Sequence, residues 1–435
     1  MKRTPTLLAI LAGLVACAPD DGPIHVASPT GEAEADRAAV LTALEAAEPG
    51  AVVRFAAGRY RLGGPVQVTT PGVTLQGDPE GTILESCDRD ALDDFPTSAL
   101  TCDALELVGG GQTVRDLIFE GSWHGVVVGC CQPRSMGEMA TLLTEERPDP
   151  GPGGAVVRDN VFRGVSTAVR VLTLEDSTLV RDNLFEDVGH AISINGNRVR
   201  FEDNRIVVTD PDRIPVYGGA LSAVALSPRQ PGGCSLNVVA GNRIEGHPQG
   251  IVVQVTTPGA ACRDNRIEGN TLITTPVRYR LPLPNLVYGD SPDSTFVDVP
   301  IVLADLLPPP DDDEDARITG TRVEENHVVG GYGLAIEVDG ASRNRIAGNA
   351  IEGVARRDPF PGTTDRVLRW GIANGSAIWI SALSEDNEIV DNVFADLAGR
   401  GIYLQGRGNT VRVDDPRMVA NRGRNNVVET RAGGG

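Results

Sequence analysis

Short apolar alternations, grouped in threes, run through most of this chain. One unit reads Ala191-Ile192-Ser193-Ile194, then Val199-Arg200-Phe201, then Arg205-Ile206-Val207. Each run is too short for a helix and suits a strand with one face turned inward. Between the second and third runs an Asp, Gly or Glu precedes an asparagine that is followed by an apolar pair or a polar and an apolar residue. These asparagines are Asn160, Asn183, Asn204, Asn242, Asn270, Asn326, Asn349 and Asn392. Successive ones are 23, 21, 38, 28, 56, 23 and 43 residues apart, so the basic coil is about 21 to 23 residues and the wider gaps carry loops. Three strands per repeating coil predict an all-β solenoid, a parallel β-helix. The asparagines are expected to adopt the left-handed conformation at the turn and to hydrogen-bond to their equivalents above and below, as frame and not as ligand contacts.

Ahead of the coils, Val40, Leu41 and Leu44 recur at helical spacing in an Ala- and Leu-rich stretch. This predicts a short amphipathic helix over 36–48 that caps the amino-terminal end of the core. Residues 18–35 show no apolar periodicity and read as a flexible tether. At the start, Lys2 and Arg3 precede an apolar run from Leu7 to Ala16, the pattern of a signal peptide. It closes on Leu14-Val15-Ala16-Cys17, which resembles the bacterial lipobox and implies lipidation of Cys17, a membrane partner through that lipid, and a place in the cell envelope facing periplasm or surface. Loop insertions are expected near 88–103, 132–154, 210–233, 275–317 and 356–371 within a β-helix spanning 36–435.

With Cys17 lipidated, six cysteines remain, consistent with disulfides in an oxidising compartment. Cys234 lies eight residues before Asn242 and Cys262 eight before Asn270, so the two occupy equivalent places in adjacent coils about 4.8 Å apart. They are expected to pair. Cys87, Cys102, Cys130 and Cys131 leave open a vicinal bond or two bridges between segments.

Together with Pro49 to Phe55, Gly58-Arg59-Tyr60 and Gly72 to Gly77, the repeats resemble the right-handed parallel β-helix repeat proteins of the pectin-lyase-like superfold, including the NosD-like carbohydrate-binding and sugar-hydrolase grouping. The resemblance covers roughly residues 50 to 430 and implies a right-handed coil with a polysaccharide lying over one strand face. It does not choose between lyase, hydrolase, binding module and adhesive scaffold.

Composition agrees: Gly is frequent at 51 residues and aromatics make up only 4%, which suits an aliphatic, strand-rich core. A net charge of -20 argues against nucleic acid as a partner. Lys2 is the one lysine, so no mechanism with a lysine base remains once a signal peptide is removed. A monomer is expected.

Aligning coils on their asparagines places one outward residue per coil on the first strand: Val127, Arg170, Ser193, Val252, Glu337, Trp379 and Tyr403. Trp379 and Tyr403 are candidates for stacking on sugar rings, as is Trp123. Glu337 and Asp339, two apart on one strand, have the roughly 7 Å separation of an inverting glycosidase pair. Arg170 is a candidate lyase base, and His124, beside the loop from Gln132 to Gly154, is a further catalytic candidate. His190 is set aside: Gly189 to Ile194 is similar to a polygalacturonase motif, but the acidic elements expected upstream are missing. The run from Asp311 to Asp315 offers oxygen ligands for Ca²⁺, although neighbouring carboxylates in a chain cannot all converge on one ion, and it reads better as a solvated loop tip. No cofactor or metal motif is present.

Overall fold

The computed structural model describes residues 22–87, 102–129, 151–174, 177–210, 213–214, 222–228, 232–247, 249–274, 299–307, 316–331, 333–356 and 373–430. The chain winds as a parallel β-helix with three faces. Among the described residues, sheet I has 14 strands, sheet II has 11 and sheet III has 12, and every pairing within them is parallel. One coil runs Val156–Arg158 in sheet I, Val161–Arg163 in sheet II and Thr167–Val171 in sheet III. Val157, Phe162 and Val169 are fully buried while Val156, Val161 and Arg170 beside them are only half-buried. Stacked coils align like residues: Phe119, Phe162 and Phe185 form a stack with ring centroids 4.7 and 5.0 Å apart.

The asparagine ladder runs between sheets I and II from Asn160 to Asn392. Asn160 Nδ2 donates to Asn183 Oδ1 at 3.1 Å, and the chain of donors continues through Asn204, Asn242, Asn270, Asn326 and Asn349 to Asn392. Each amide also donates to a strand carbonyl, as Asn242 Nδ2 does to Phe201 at 2.9 Å. The left-handed residue is not the asparagine, as expected, but the one before it: φ is 57° at Asp159, 55° at Asp182 and 54° at Asp203, with Gly241 and Gly269 in the same role. This frees the asparagine side chain to point inward along the stack.

A second ladder, not anticipated, lines the turn before sheet I. It links Asn237 to Asn265, is interrupted where Thr321 takes the asparagine's place, and resumes through Asn344, Asn387, Asn409 and Asn426, again behind left-handed residues such as Asp264 and Asp386.

A helix spans Ala33–Glu45, three residues ahead of the expected start, and buries Val40, Ala43 and Leu44 against the first coil. Asp36 fixes it: its carboxylate accepts from the Thr30 amide and hydroxyl at 2.6 and 2.8 Å and from the Arg61 amide at 3.0 Å. The stretch expected to be a free tether is docked over its described part. Ile24–His25 adds a parallel strand to Val53 and Arg54, Val26 is buried, and the Tyr60 hydroxyl donates to the Ala27 carbonyl.

Two expected insertions each contain a sheet III strand, Val224–Leu226 within 210–233 and Ile301–Asp305 within 275–317. Cys234 and Cys262 are disulfide-bonded with Cα atoms 4.7 Å apart, and Cys87 pairs with Cys102. Cys130 and Cys131 lie outside the described residues, as do Cys17, the acidic run 311–315 and most of the remaining expected insertions.

Candidate functional site

The outer surfaces of sheets I and II are charge ladders. On sheet II, Arg59 bridges Glu85 at 3.1 Å and Glu120 at 2.8 Å; on sheet I, Arg345 bridges Glu324 at 3.0 Å and also Glu388. These pairs are partly exposed, contribute about 0–1 kcal/mol each, and keep both faces hydrated. Sheet III is different. Among the described residues, the buried His, Asp and Glu side chains carried by strands are Glu106, His124, Asp305 and Asp339, and all of them belong to sheet III.

The register places Gln67, Glu106, Val127, Arg170 and Ser193 in one outward column. It continues through Ala225, Val252, Val302, Glu337, Trp379 and Tyr403. The column read from the sequence therefore stands, with Gln67, Glu106, Ala225 and Val302 added. Its two halves differ in chemistry.

In the amino-terminal half, two candidates that the sequence left unconnected meet. Ala168 and Val169 both enter the core, so Thr167 and its neighbour across the ladder, His124, turn outward beside Arg170. Gly125 permits this: a Cβ there would lie 2.8 Å from the Phe162 ring and the Ala168 carbonyl oxygen. His124 Nδ1 is 2.6 Å from Asp103 Oδ1, and Arg170 Nη1 is 3.2 Å from His124 Nε2. A guanidinium cannot accept, so Nε2 carries the lone pair and Nδ1 the proton, donated to Asp103. Asp103 is held in turn from Ser86, whose hydroxyl donates to its carbonyl at 2.7 Å. Asp103 and His124 are 1% and 4% exposed, while Arg170 is half-buried and forms the outer member. One strand away, Gln67 Nε2 donates to Glu106 at 3.0 Å. Trp123 is not a platform: it is buried against the Cys87–Cys102 disulfide and helps to wall the site.

In the carboxy-terminal half, Trp379 and Tyr403 are adjacent in register and face outward as expected, but they are 2% and 5% exposed. They pack in an apolar cluster with Val252, Val302, Val299, Leu334 and Ala373, and the indole donates to Gln405 at 3.0 Å. An open stacking platform is thus not what this surface presents. Glu337 sits half-buried between Val302 and Trp379, and Asp339 is buried beside Asp305. Burial pushes the Asp305 carboxyl above its usual range and the Asp339 charge adds to this, against the Leu307 amide and the Arg317 guanidinium, 3.0 Å away.

His190 lies in register with Thr167, its Nδ1 2.7 Å from the Ser222 carbonyl. Among the described residues no three His, Cys, Asp or Glu side chains come together as a metal site.

The family described as "Right handed beta helix region" matches residues 312–433 of this chain. No curated protein sequence matches it. Among solved structures, an alginate lyase of family PL6 in complex with a trisaccharide is 13% identical, superposes over 94% of this chain and 84% of its own, and gives a TM-score of 0.55. A DFA-IIIase from Arthrobacter chlorophenolicus A6 in complex with DFA-III is 12% identical, with 94% and 98% covered and a TM-score of 0.52. These likenesses fix the fold as a right-handed parallel β-helix and, at such identity, nothing finer.

Proposed function

We propose that this protein is exported and binds an extended carbohydrate along the outer face of sheet III, in the amino-terminal coils around Arg170. The observation that carries the reading is that, among the described strands, buried His, Asp and Glu side chains are found on sheet III and not on sheets I and II. Burying such groups costs several kcal/mol unless they are paired, and a solenoid face with only a structural role is served by the hydrated ladders seen on sheets I and II. The trisaccharide held by the alginate lyase, a protein of the same fold, agrees with a sugar ligand. The disulfides agree with export, and the signal sequence with a lipid on Cys17.

The test is a glycan-binding screen on the full chain beside two variants. Arg170→Ala is expected to weaken binding at least tenfold, and Arg243→Ala, on the exposed face of sheet II, to leave it unchanged. Equal loss in both, or no glycan bound, returns the molecule to a scaffold whose partner is not a sugar. Lipidation is read separately: Cys17→Ser is expected to release the protein from the membrane fraction, and its retention there would remove the anchor from the account.

A further inference from the structure

The Cys87–Cys102 disulfide closes the coil on which Asp103 stands, and we infer that it is a redox switch for the site at Arg170: the site assembles when the bridge forms after export and is dismantled when a dithiol reduces it. The inference rests on the carbohydrate reading and adds its regulation.

The crossing from sheet II to sheet III has one length in three successive coils. Phe119, Phe162 and Phe185 pair in register on sheet II, and Val126, Val169 and Ile192 on sheet III. Six residues join them each time, from Glu120 to Gly125, Arg163 to Ala168 and Glu186 to Ala191. In the coil before these, Leu84 pairs with Phe119 and Leu105 with Val126. The sequence interposes residues 88–101 in that crossing, yet Glu85, Ser86, Cys87, Cys102, Asp103 and Ala104 again supply six positions. Both sides of the bridge keep the ladder: the Cys87 amide donates to the Gly121 carbonyl at 2.7 Å, the Trp123 amide to Cys102 at 2.8 Å and the Ala104 amide to His124 at 2.9 Å. The disulfide therefore stands where the other coils have a peptide bond, its Cα atoms 5.5 Å apart against about 3.8 Å for a peptide link.

This splice gives Asp103 the place that His124 holds one coil on, which aims its Oδ1 at the imidazole Nδ1, 2.6 Å away. Beside the bridge, the Ser86 hydroxyl donates to the Asp103 carbonyl at 2.7 Å. Asp103 is held there against a solvation cost. Its Oδ2 is buried and meets no donor among the described residues, and such an oxygen gains by reaching water. With the bridge open, Cys102 and Asp103 are joined to Cys87 only through the intervening chain, and closing that 15-residue span by contacts alone carries an entropy cost that the covalent bond removes. Asp103 then turns out, the Nδ1 proton loses its acceptor, and the imidazole 3.2 Å from the Arg170 guanidinium loses its fixed tautomer.

Access makes the switch selective. Cys234 and Cys262 are fully buried, whereas Cys87 is half-buried, so a dithiol reaches the Cys87 sulfur first. One thiolate of the dithiol attacks Cys87 Sγ and the Cys102 sulfur leaves and takes a proton. The second thiolate then displaces Cys87, which takes the other proton. Two electrons and two protons pass to the protein and the dithiol ends as a disulfide. Exchange with a disulfide oxidant outside the reducing compartment runs the same steps backward.

The experiment follows the full chain oxidised, after mild dithiothreitol and after reoxidation. Fluorescence of Trp123, which packs on the bridge, reports its opening. Nitrogen-15 shifts of the imidazole signal that His124→Gln removes report the tautomer without any sugar. Calorimetry with cellohexaose, maltohexaose and trigalacturonate reports binding. The oxidised chain is expected to show a ring protonated at Nδ1. Opening the bridge should average the ring between tautomers and weaken probe binding about tenfold or more, and reoxidation should restore both. Cys87→Ala combined with Cys102→Ala should reproduce the reduced state with the circular dichroism of the coils retained, and Cys234→Ala combined with Cys262→Ala should keep tautomer and affinity. Should the first pair fail to fold, the reduced wild-type chain, followed by the same dichroism, decides. A His124 signal or a probe affinity unmoved by opening overturns the switch. Equal losses from either pair of variants, or loss of the dichroism on mild reduction, assign the effect to overall stability and overturn it as well. A tautomer that responds in a chain binding none of the probes overturns the carbohydrate reading and leaves the hold of the bridge on Asp103 standing.

Discussion

Two single residues outside the site give the fold a defined response to acid. Burial alone would raise the Asp36 carboxyl, but the amides and hydroxyl of Thr30, Arg61 and Gly31 hold it below its usual range. A depressed carboxylate stabilises the fold above its unfolded value near 3.9 and loses that contribution as pH falls through the folded value. Asp36→Ala should therefore cost about 2–3 kcal/mol at neutral pH, read as a shifted urea midpoint, and the difference from wild type should shrink below pH 4. His247 acts at higher pH. Its ring is fully buried, and burial, with the nearby His190 second, lowers its pKa to about 4 against the carbonyls of Gln249, Gly189 and Val188. Between pH 6.5 and 4 the unfolded chain binds a proton that the folded chain refuses, so stability should fall by about 3 kcal/mol over that window and not further below it. His247→Gln should flatten the window, and an unchanged slope would assign the acid response to other groups. Neither residue was legible in the sequence, because burial depends on which coils stack over a side chain. Trp379 and Tyr403 make the same point from the other side: alternation told which face they occupy but not that the face is covered there.

At the scale of the turn and its ladder, the sequence carried more than was read from it. The second set of asparagines sits five residues before the first, as Asn265 precedes Asn270 and Asn344 precedes Asn349, and shows the same signature of a turn residue followed by asparagine and an apolar strand position. The assignment of the left-handed turn to asparagine failed for a steric reason. A residue whose amide must reach both the neighbouring coil and a strand carbonyl takes no positive φ here, and the residue before it absorbs the turn. The ladder should therefore be far less tolerant than the turn. Asn242→Ala strands the Asn204 amide and side chain and the Phe201 carbonyl, all buried, and should cost about 2–4 kcal/mol. Asp203→Gly should be nearly neutral, while Asp203→Val, a β-branched residue at a φ of 54°, should cost about 1–2 kcal/mol. Asn426→Ala, at the half-buried end of the second ladder, should cost under about 1 kcal/mol. Equilibrium denaturation of the four variants side by side checks the ranking, and a valine as well tolerated as the glycine would refute the assignment of strain to the preceding residue.

For the whole molecule, fold and site were legible to different degrees for one reason. In a solenoid each coil touches only its neighbours, so a short repeated pattern specifies the architecture wherever spacing is regular. It failed at Val224–Leu226 and Ile301–Asp305, where long insertions hid the period. The site draws on three successive coils, from Asp103, His124 and Arg170, and no local motif records that convergence; only the register joins them. The same one-dimensional coupling makes a prediction about the disulfide between Cys234 and Cys262, which closes a 28-residue span in the middle of the solenoid. By chain entropy it should contribute about 3–4 kcal/mol. Because two strands of sheet III, His190–Ile194 and Val224–Leu226, lie between the strand of Arg170 and the strand Ile251–Val255 within that span, Cys234→Ala combined with Cys262→Ala should open the middle coils to limited proteolysis while glycan affinity at Arg170 stays within a factor of about two. Affinity falling in step with the loss of stability would show that the coils unfold as one unit, and that the face must be treated as a single cooperative surface and not as a stack of separable ones.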